Sequence, residues 1–351
     1  MMSNSMTIDG MAATAAWNAF TLDPRWCRRL ERADIEALQR GLARFRDHSP
    51  ELDLSSMTDE NFPLPELDGL VESLRHRLID GQGVAAFEGF PVEDHDLAEL
   101  RAIWWGLSRA IGRPVAQSHR GDLIGDVRDL GTGISGRAGR GYTSSSELNF
   151  HTDAADVSGL FFLRTARSGG VTRIASAVTT HDVIAARRPD LLAELYQPLS
   201  WSWQGNERPE EQPWYEQPVF GRVDDEVSCA FVRTNIVDAQ RNAGAPELTD
   251  AQLEAVDFVV QVASEPGMWV ERQFAPGAML FVHNHTVLHL RSAFTDWDEP
   301  ERRRHLLRVW LSTANSRALP ATFAPFFGDI ENGAVRGGYP SRVDQPVFET
   351  V

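Results

Sequence analysis

In Phe150-His151-Thr152-Asp153 an imidazole and a carboxylate stand two residues apart. On an extended strand end, residues i and i+2 project from one face, as two facial ligands of a single metal must. Alone, the pair is about as frequent as chance predicts in a chain with ten histidines and fifty acidic residues. A second cluster, Phe281-Val-His-Asn-His-Thr-Val-Leu-His-Leu-Arg291, sets His283, His285 and His289 in an apolar strand pair. A lone neutral imidazole is costly there unless it is hydrogen-bonded or metallated. A purely structural role accounts for one such histidine more readily than for three. Asn284-His285 reads as the tight turn between the two strands.

A third segment, Arg303-Arg-His-Leu-Leu-Arg-Val-Trp-Leu311, puts Arg304, Leu306, Arg308 and Trp310 on one strand face and His305, Leu307, Val309 and Leu311 on the other. A cation inside an otherwise apolar strand demands an anion. A guanidinium binds a carboxylate through two parallel charge-assisted hydrogen bonds, a geometry lysine lacks. The strand alone leaves open whether that carboxylate belongs to the protein or to a ligand. With the arginines pointing inward, the same parity argues against His305 as a metal ligand.

The elements that must position these residues begin with helices. Residues 1–20 are small and polar and are expected to be disordered. Ile35, Leu38, Leu42 and Phe45 then recur at helical spacing from Asp34 to Phe45 behind an Asp cap, and a second amphipathic stretch runs from Glu66 to Ile79. Gly83–Pro91 reads as a short buried strand, and Asp94–Ile111 as a helix. From Gly112 onward the texture is β-rich, with strands expected at Leu160–Leu163 and Arg173–Val178. A helical insert at Thr180–Tyr196, opened by a Thr179-x-x-Asp182 capping box and broken at Pro189, precedes a Trp- and Pro-rich loop over 201–218 of surface or lid character. Further strands are expected at Ser228–Arg233, Met268–Gln273, Ala278–Val282, Val287–Ala293 and His305–Ser312, with a helix at Thr249–Ala263. This order lacks the steady alternation of a doubly wound sheet. It favours a mixed α and β protein with a jelly-roll, cupin-like core decorated by helices. The expected division is a helical extension over 21–80, a catalytic domain over 81–340 and a tail over 341–351.

Composition narrows the partners. A formal charge of -16 opposes binding to nucleic acid or anionic membranes. Two cysteines, Cys27 and Cys229, supply neither a disulfide framework nor a four-thiolate zinc site. The N-terminus lacks the pattern of a secretory signal, and no apolar run reaches membrane-spanning length. A cytoplasmic protein acting on a small molecule is the expectation, and a homo-oligomer is compatible with it.

Taken in order, Phe-His151-Thr-Asp153, Gly169-Gly-Val-Thr172, Asn-His-Thr-Val-Leu-His289-Leu-Arg and Arg304-His-Leu-Leu-Arg308-Val-Trp-Leu resemble the taurine dioxygenase-like family, which includes clavaminate synthase, from about residue 83 to 338. The resemblance implies a double-stranded β-helix with Fe(II) held by His151, Asp153 and His289, and with 2-oxoglutarate and O2 as co-substrates. It implies that Thr172 and the Arg304/Arg308 pair serve the distal carboxylate of the keto acid, without apportioning the two arginines. His283 and His285 are then supporting residues. The reaction implied is oxidation, most simply hydroxylation, of an unactivated C–H bond, with release of succinate and CO2. Gly-Gly-Val-Thr replaces the frequent Gly-Gly-Asp-Thr, and Leu290 follows the distal histidine where a small residue is common. The intact Asp153 disfavours halogenation, for which relatives open that position.

Substrate contacts are expected from the flanking segments, with Arg137, Arg140 and Glu147 before the metal strand and Trp203 in the Trp-rich stretch as candidates. Gly131-Thr-Gly-Ile-Ser-Gly136 matches a dinucleotide-binding spacing but opens no helix, so it carries no nicotinamide site. The rival readings are a cupin-like metal-dependent hydrolase or lyase, which has no need of inward arginines, and a catalytically silent ligand-binding relative.

Overall fold

The computed structural model describes residues 15–129 and 144–348. Two sheets form the core. Their strands are, in chain order, β1 (Cys27–Arg29), β2 (Val84–Glu88), β3 (Arg113–Pro114), β4 (Gly125–Val127), β5 (Leu148–His151), β6 (Val157–Arg164), β7 (Thr172–Ser176), β8 (Trp269–Arg272), β9 (Met279–His283), β10 (Val287–Arg291) and β11 (His305–Ser312). The larger sheet runs β1-β2-β9-β6-β11-β3, with β4 also paired to β11, and the smaller runs β8-β7-β10-β5. Apart from the parallel β1/β2 pair, the pairings within these sheets are antiparallel. This is the jelly roll that the element order pointed to.

Period-two alternation assigns each strand an outer and an inner face. On β11, Leu307, Val309 and Leu311 face outward into an apolar cluster built with Phe45, Leu74, Leu100, Ile103 and Trp104 of three helices, α1 (Arg32–His48), α2 (Asp68–Ile79) and α3 (Leu97–Ile111). On β10, Leu288 and Leu290 face a second cluster with Ile184, Leu191 and Val259 of α4 (Ala177–Arg187), α5 (Pro189–Leu195) and α7 (Asp250–Ala263), which flank the short α6 (Arg233–Ala239). Between the sheets Val84, Phe162, Ile174, Val287 and Leu306 pack together. With apolar faces buried on both sides, the sheets form a rigid frame on which inward polar residues hold their geometry.

The structure corrects several boundaries. Trp17 is buried and donates its indole N–H to the Gln82 carbonyl at 2.7 Å, so the chain is packed from residue 15 onward in the part described before α1. Helix α1 starts earlier than expected: Glu31 is its cap, and Asp34 reaches back to the Glu31 N–H to complete a capping box. The 172–176 strand gives way at once to α4, whose cap is Ser176 rather than Thr179; the Ser176 hydroxyl accepts the Thr179 N–H. Pro189 does divide the insert, as the first residue of α5. The 201–218 stretch is no loose loop: Leu199–Ser202 pairs with Trp214–Gln217, and Trp201 is buried. The strand expected to reach Arg233 stops at Cys229, and Arg233 opens α6. Residues of the expected tail are tied down, with Phe348 against Trp105 and its carbonyl accepting from Arg101.

Candidate active site

Strand pairing brings the metal-ligand candidates together. His289 on β10 is directly opposite His151 on β5, and their ring centroids are 4.3 Å apart. Thr152, between His151 at the end of β5 and Asp153 just beyond it, points the other way, its hydroxyl accepting the Phe231 N–H, so Asp153 returns to the His151 side. One ligand atom from each of His151, Asp153 and His289 lies within 4.8 Å of the others. No other group of three His, Cys, Asp or Glu able to hold a metal occurs among the described residues.

The electrostatics fit a divalent metal bound by two imidazoles and a carboxylate. Burial pushes the His289 imidazole down to about 3, helped by the neighbouring His151, and burial lowers His151 as well, so both rings are neutral and ready to ligate. The His151 Nδ1 lies 2.8 Å from the Asn149 carbonyl, which fixes the ring and leaves Nε2 for the metal. Burial works against the Asp153 charge, but the Arg308 guanidinium and the two imidazoles hold its carboxyl well below the usual carboxylate range. Ser158 donates to Asp153 Oδ2 at 2.6 Å, and Asn284 accepts the Asp153 N–H at 3.0 Å while donating to Ser158. Sequence reasoning missed Ser158 and Asn284, since neither lies at a recognisable spacing from the ligands.

His283 and His285 take no part in the triad. The His283 ring is 2.8 Å from the Thr286 hydroxyl, and the His285 Nε2 is 3.2 Å from Asp156. His305 is engaged by Asp126 at 2.5 Å, on the opposite side of β11 from the arginines, as its parity requires.

The two arginines of the third segment diverge. Arg308 lies in β11, donates through Nε to Gln117 at 2.7 Å, and stands 3.5 Å from Asp153 Oδ1. Arg304 precedes the strand, beyond an irregularity in the β11/β6 register. It is buried, its Nη1 has no partner among the described residues, and desolvation, aided by nearby Arg291, lowers its guanidinium to about 9. The Gly169-Gly170 turn abuts it. Both glycines have positive φ, and a Cβ on Gly169 would meet the Ala293 carbonyl oxygen, so this approach demands glycine. The turn delivers buried Thr172 to β7, opposite Arg291.

A cleft of about 210 Å3 opens beside the triad. Its described lining includes His151, Asp153, Arg308, Gln117, Glu147, Asn206, Trp201, Tyr215, Trp310 and Tyr339. Trp203 is not part of it: the ring packs behind Tyr215 at 4.4 Å and Phe326 at 5.3 Å, supporting the wall instead of forming it. Arg137, Arg140 and the 131–136 glycine motif lie outside the described residues.

A jelly roll with a two-histidine, one-carboxylate triad at its inner wall fits a mononuclear metal enzyme. Residues 49–310 match the profile of the Taurine catabolism dioxygenase TauD, TfdA family. The chain belongs to that family and is a non-haem iron, 2-oxoglutarate-dependent oxygenase. It is 30% identical over 265 residues to FR-33289 synthase of Streptomyces rubellomurinus, covering 75% of this chain and 78% of that one. It is 26% identical over 294 residues to the taurine hydroxylase-like protein SAT17 of Stachybotrys chartarum, covering 80% and 73%. Among solved structures it is similar in fold to an asparagine oxygenase bound to Fe(II), hydroxyasparagine and succinate, with TM-score 0.62 and 19% identity over 88% of this chain and all of that one. It is likewise similar to the iron oxygenase OrfP with Fe and α-ketoglutaric acid, with TM-score 0.58 and 16% identity over 88% and 100%.

Proposed function

We propose that this enzyme hydroxylates an unactivated C–H bond of a small anionic molecule, amino-acid-derived or a comparably sized natural-product intermediate. The observation that carries the reading is the divergence of Arg304 and Arg308 around the triad, which offers two separate anion sites. Arg304, buried against the Gly169-Gly170 turn that leads into Thr172, serves the distal carboxylate of 2-oxoglutarate. Arg308, braced by Gln117 in the cleft wall, serves an anionic group of the substrate. His151, Asp153 and His289 hold the iron, which when bound with the keto acid supplies the oxidising power for C–H cleavage.

The protein's own part is positioning. The aromatic wall of Trp201, Tyr215, Trp310 and Tyr339 excludes water from the reacting carbon. Glu147, also in the lining, is a candidate partner for a substrate amino group. The small cleft favours a molecule of amino-acid size, and two similar folds hold hydroxyasparagine and hydroxy-arginine. A hydrolase on the same barrel would leave the buried Arg304 without a purpose.

Anaerobic Fe(II) and 2-oxoglutarate should give the weak visible charge-transfer band of a chelated keto acid, lost in His289→Ala. A band absent from the wild type, or surviving that substitution, would sink the assignment. Succinate release across amino acids, their N-acyl forms and sulfonates then identifies the substrate class. Arg308→Gln should raise the KM of an anionic substrate about ten- to hundredfold while leaving 2-oxoglutarate affinity nearly unchanged.

A further inference from the structure

Arg291 is the residue that the keto acid reading leaves unused. It lies two positions beyond His289 on β10 and so shares its inward face, directly opposite Thr172. It is buried, and only Nη2 is engaged, by the Ser146 carbonyl; Nε and Nη1 have no partner among the described residues. Arg304, with its own unpartnered Nη1, is close by: Phe294 lies 4.7 Å from the Arg291 guanidinium carbon and 5.2 Å from that of Arg304. The charge of Asp296 reaches Arg304 and that of Asp129 reaches Arg291, but Asp296 spends Oδ1 on the Arg304 and Trp297 backbone N–H groups and its Oδ2 has no partner among the described residues, so it makes no bond to the Arg304 guanidinium there.

Two buried guanidinium groups beside each other repel, and each unmatched N–H carries a desolvation cost. One carboxylate set between them removes both penalties, since its two oxygens accept several N–H bonds at once. We propose that Arg291 is a second cation of the keto acid pocket, binding the distal carboxylate of 2-oxoglutarate together with Arg304 and Thr172. This rests on the assignment of Thr172 and Arg304 to that carboxylate. Arg291 thereby makes the pocket selective for a dicarboxylic keto acid over one with an uncharged tail. A purely structural arginine tethering Ser146 makes no such distinction.

The test compares two keto acids with the same chelating head, 2-oxoglutarate and 2-oxobutyrate, the second lacking the distal carboxylate. Each is titrated anaerobically into the Fe(II)-loaded wild type, Arg291→Gln and Arg291→Lys, and followed by calorimetry and by the visible band. Arg291→Gln should weaken 2-oxoglutarate about ten- to hundredfold while 2-oxobutyrate changes by less than about twofold. Arg291→Lys, which keeps the charge but loses the fork, should fall between and carries the test if the glutamine variant does not fold. An equal loss for both keto acids, or unchanged 2-oxoglutarate affinity in a folded variant, overturns the role of Arg291 alone. Failure of the wild type to bind 2-oxoglutarate overturns the underlying assignment along with it.

Discussion

Among the described residues the barrel holds three buried clusters of one histidine, one aspartate and one arginine; His305, Asp126 and Arg101 form one, and Asn284 joins the other two, of which one has the geometry of a metal site. Of the joined pair, His285, Asp156 and Arg336 form the first; His289, Asp153 and Arg308 form the second. Each leaves its histidine Nδ1 without a partner among the described residues, so the imidazoles do not distinguish them. The carboxylates do. Asp156 sits within bonding reach of His285 Nε2 at 3.2 Å, Arg336 Nε at 2.7 Å, the Ser312 hydroxyl at 3.3 Å and the Thr313 N–H at 3.1 Å. Asp153 receives one short bond, from Ser158, and otherwise faces a guanidinium at 3.5 Å and an imidazole at 3.7 Å. Saturated valences make a structural cluster, whereas convergent unsaturated ones make a metal site.

Replacing each aspartate should therefore give crossed results. Asp156→Ala leaves the Arg336 guanidinium, fully buried, without its counter-ion, and should cost about 3–5 kcal/mol in chemical denaturation while the folded fraction still binds Fe(II). Asp153→Ala, which takes the acceptor from Ser158 and a counter-charge from Arg308, should cost about 1–3 kcal/mol, less than Asp156→Ala. It should also weaken iron binding and turnover by more than about a hundredfold, beyond what loss of an outer partner does. Destabilisation of equal size in both variants would break the comparison.

Acid probes both clusters at once. Burial holds His283 well below its ordinary value, lowers His285 and His151, and brings His289 to about 3. Folded pKa values below the unfolded value mean that the unfolded chain takes up protons first. The stability conferred by the neutral rings is thus complete above about pH 6.5 and is lost as pH falls from there toward the folded values. For His289 alone the loss at pH 5 is about 2 kcal/mol. Tm of the apoprotein measured from pH 8 to pH 5 should fall steadily below pH 6.5, and a flat profile would contradict the neutral, desolvated state of these imidazoles.

The barrel was legible in the order of elements and the candidate ligands through the family resemblance, while the direction in which each side chain points was legible through the strict period of two. It assigned His151 and Asp153 to one face, Arg308 and Trp310 to another strand's inner face, and His305 outward. The same rule applied to His289 identifies Arg291, which stands in the quoted motif, but a single charged residue at a strand end does not reveal that it is buried. Gln117 and Tyr339 reach the cleft from distant segments, so no local spacing marks them. Trp203 illustrates the opposite error, because an aromatic near a site in sequence is as able to brace a wall as to form one. Boundaries slipped where a cap is set by a side-chain contact, as at Glu31 and Ser176.

Asn284 joins the two clusters. Its side chain accepts the Asp153 N–H and donates to Ser158 and to the Ala155 carbonyl, and its own N–H donates to the Asp156 carbonyl at 2.8 Å. Asn284→Ala should weaken iron affinity about ten- to hundredfold, with a stability loss of about 1–3 kcal/mol for the unmatched buried groups. Ser158→Ala removes one bond to the carboxylate and should be milder on both counts, with iron affinity down about tenfold and stability by about 1 kcal/mol. Competition for Fe(II) with a chelator of known affinity gives the first quantity and urea denaturation the second. Were Ser158→Ala to lose stability without losing iron, the Asp153 carboxylate would be oriented by its backbone and Arg308 alone, and the two clusters would differ by less than their bonding suggests.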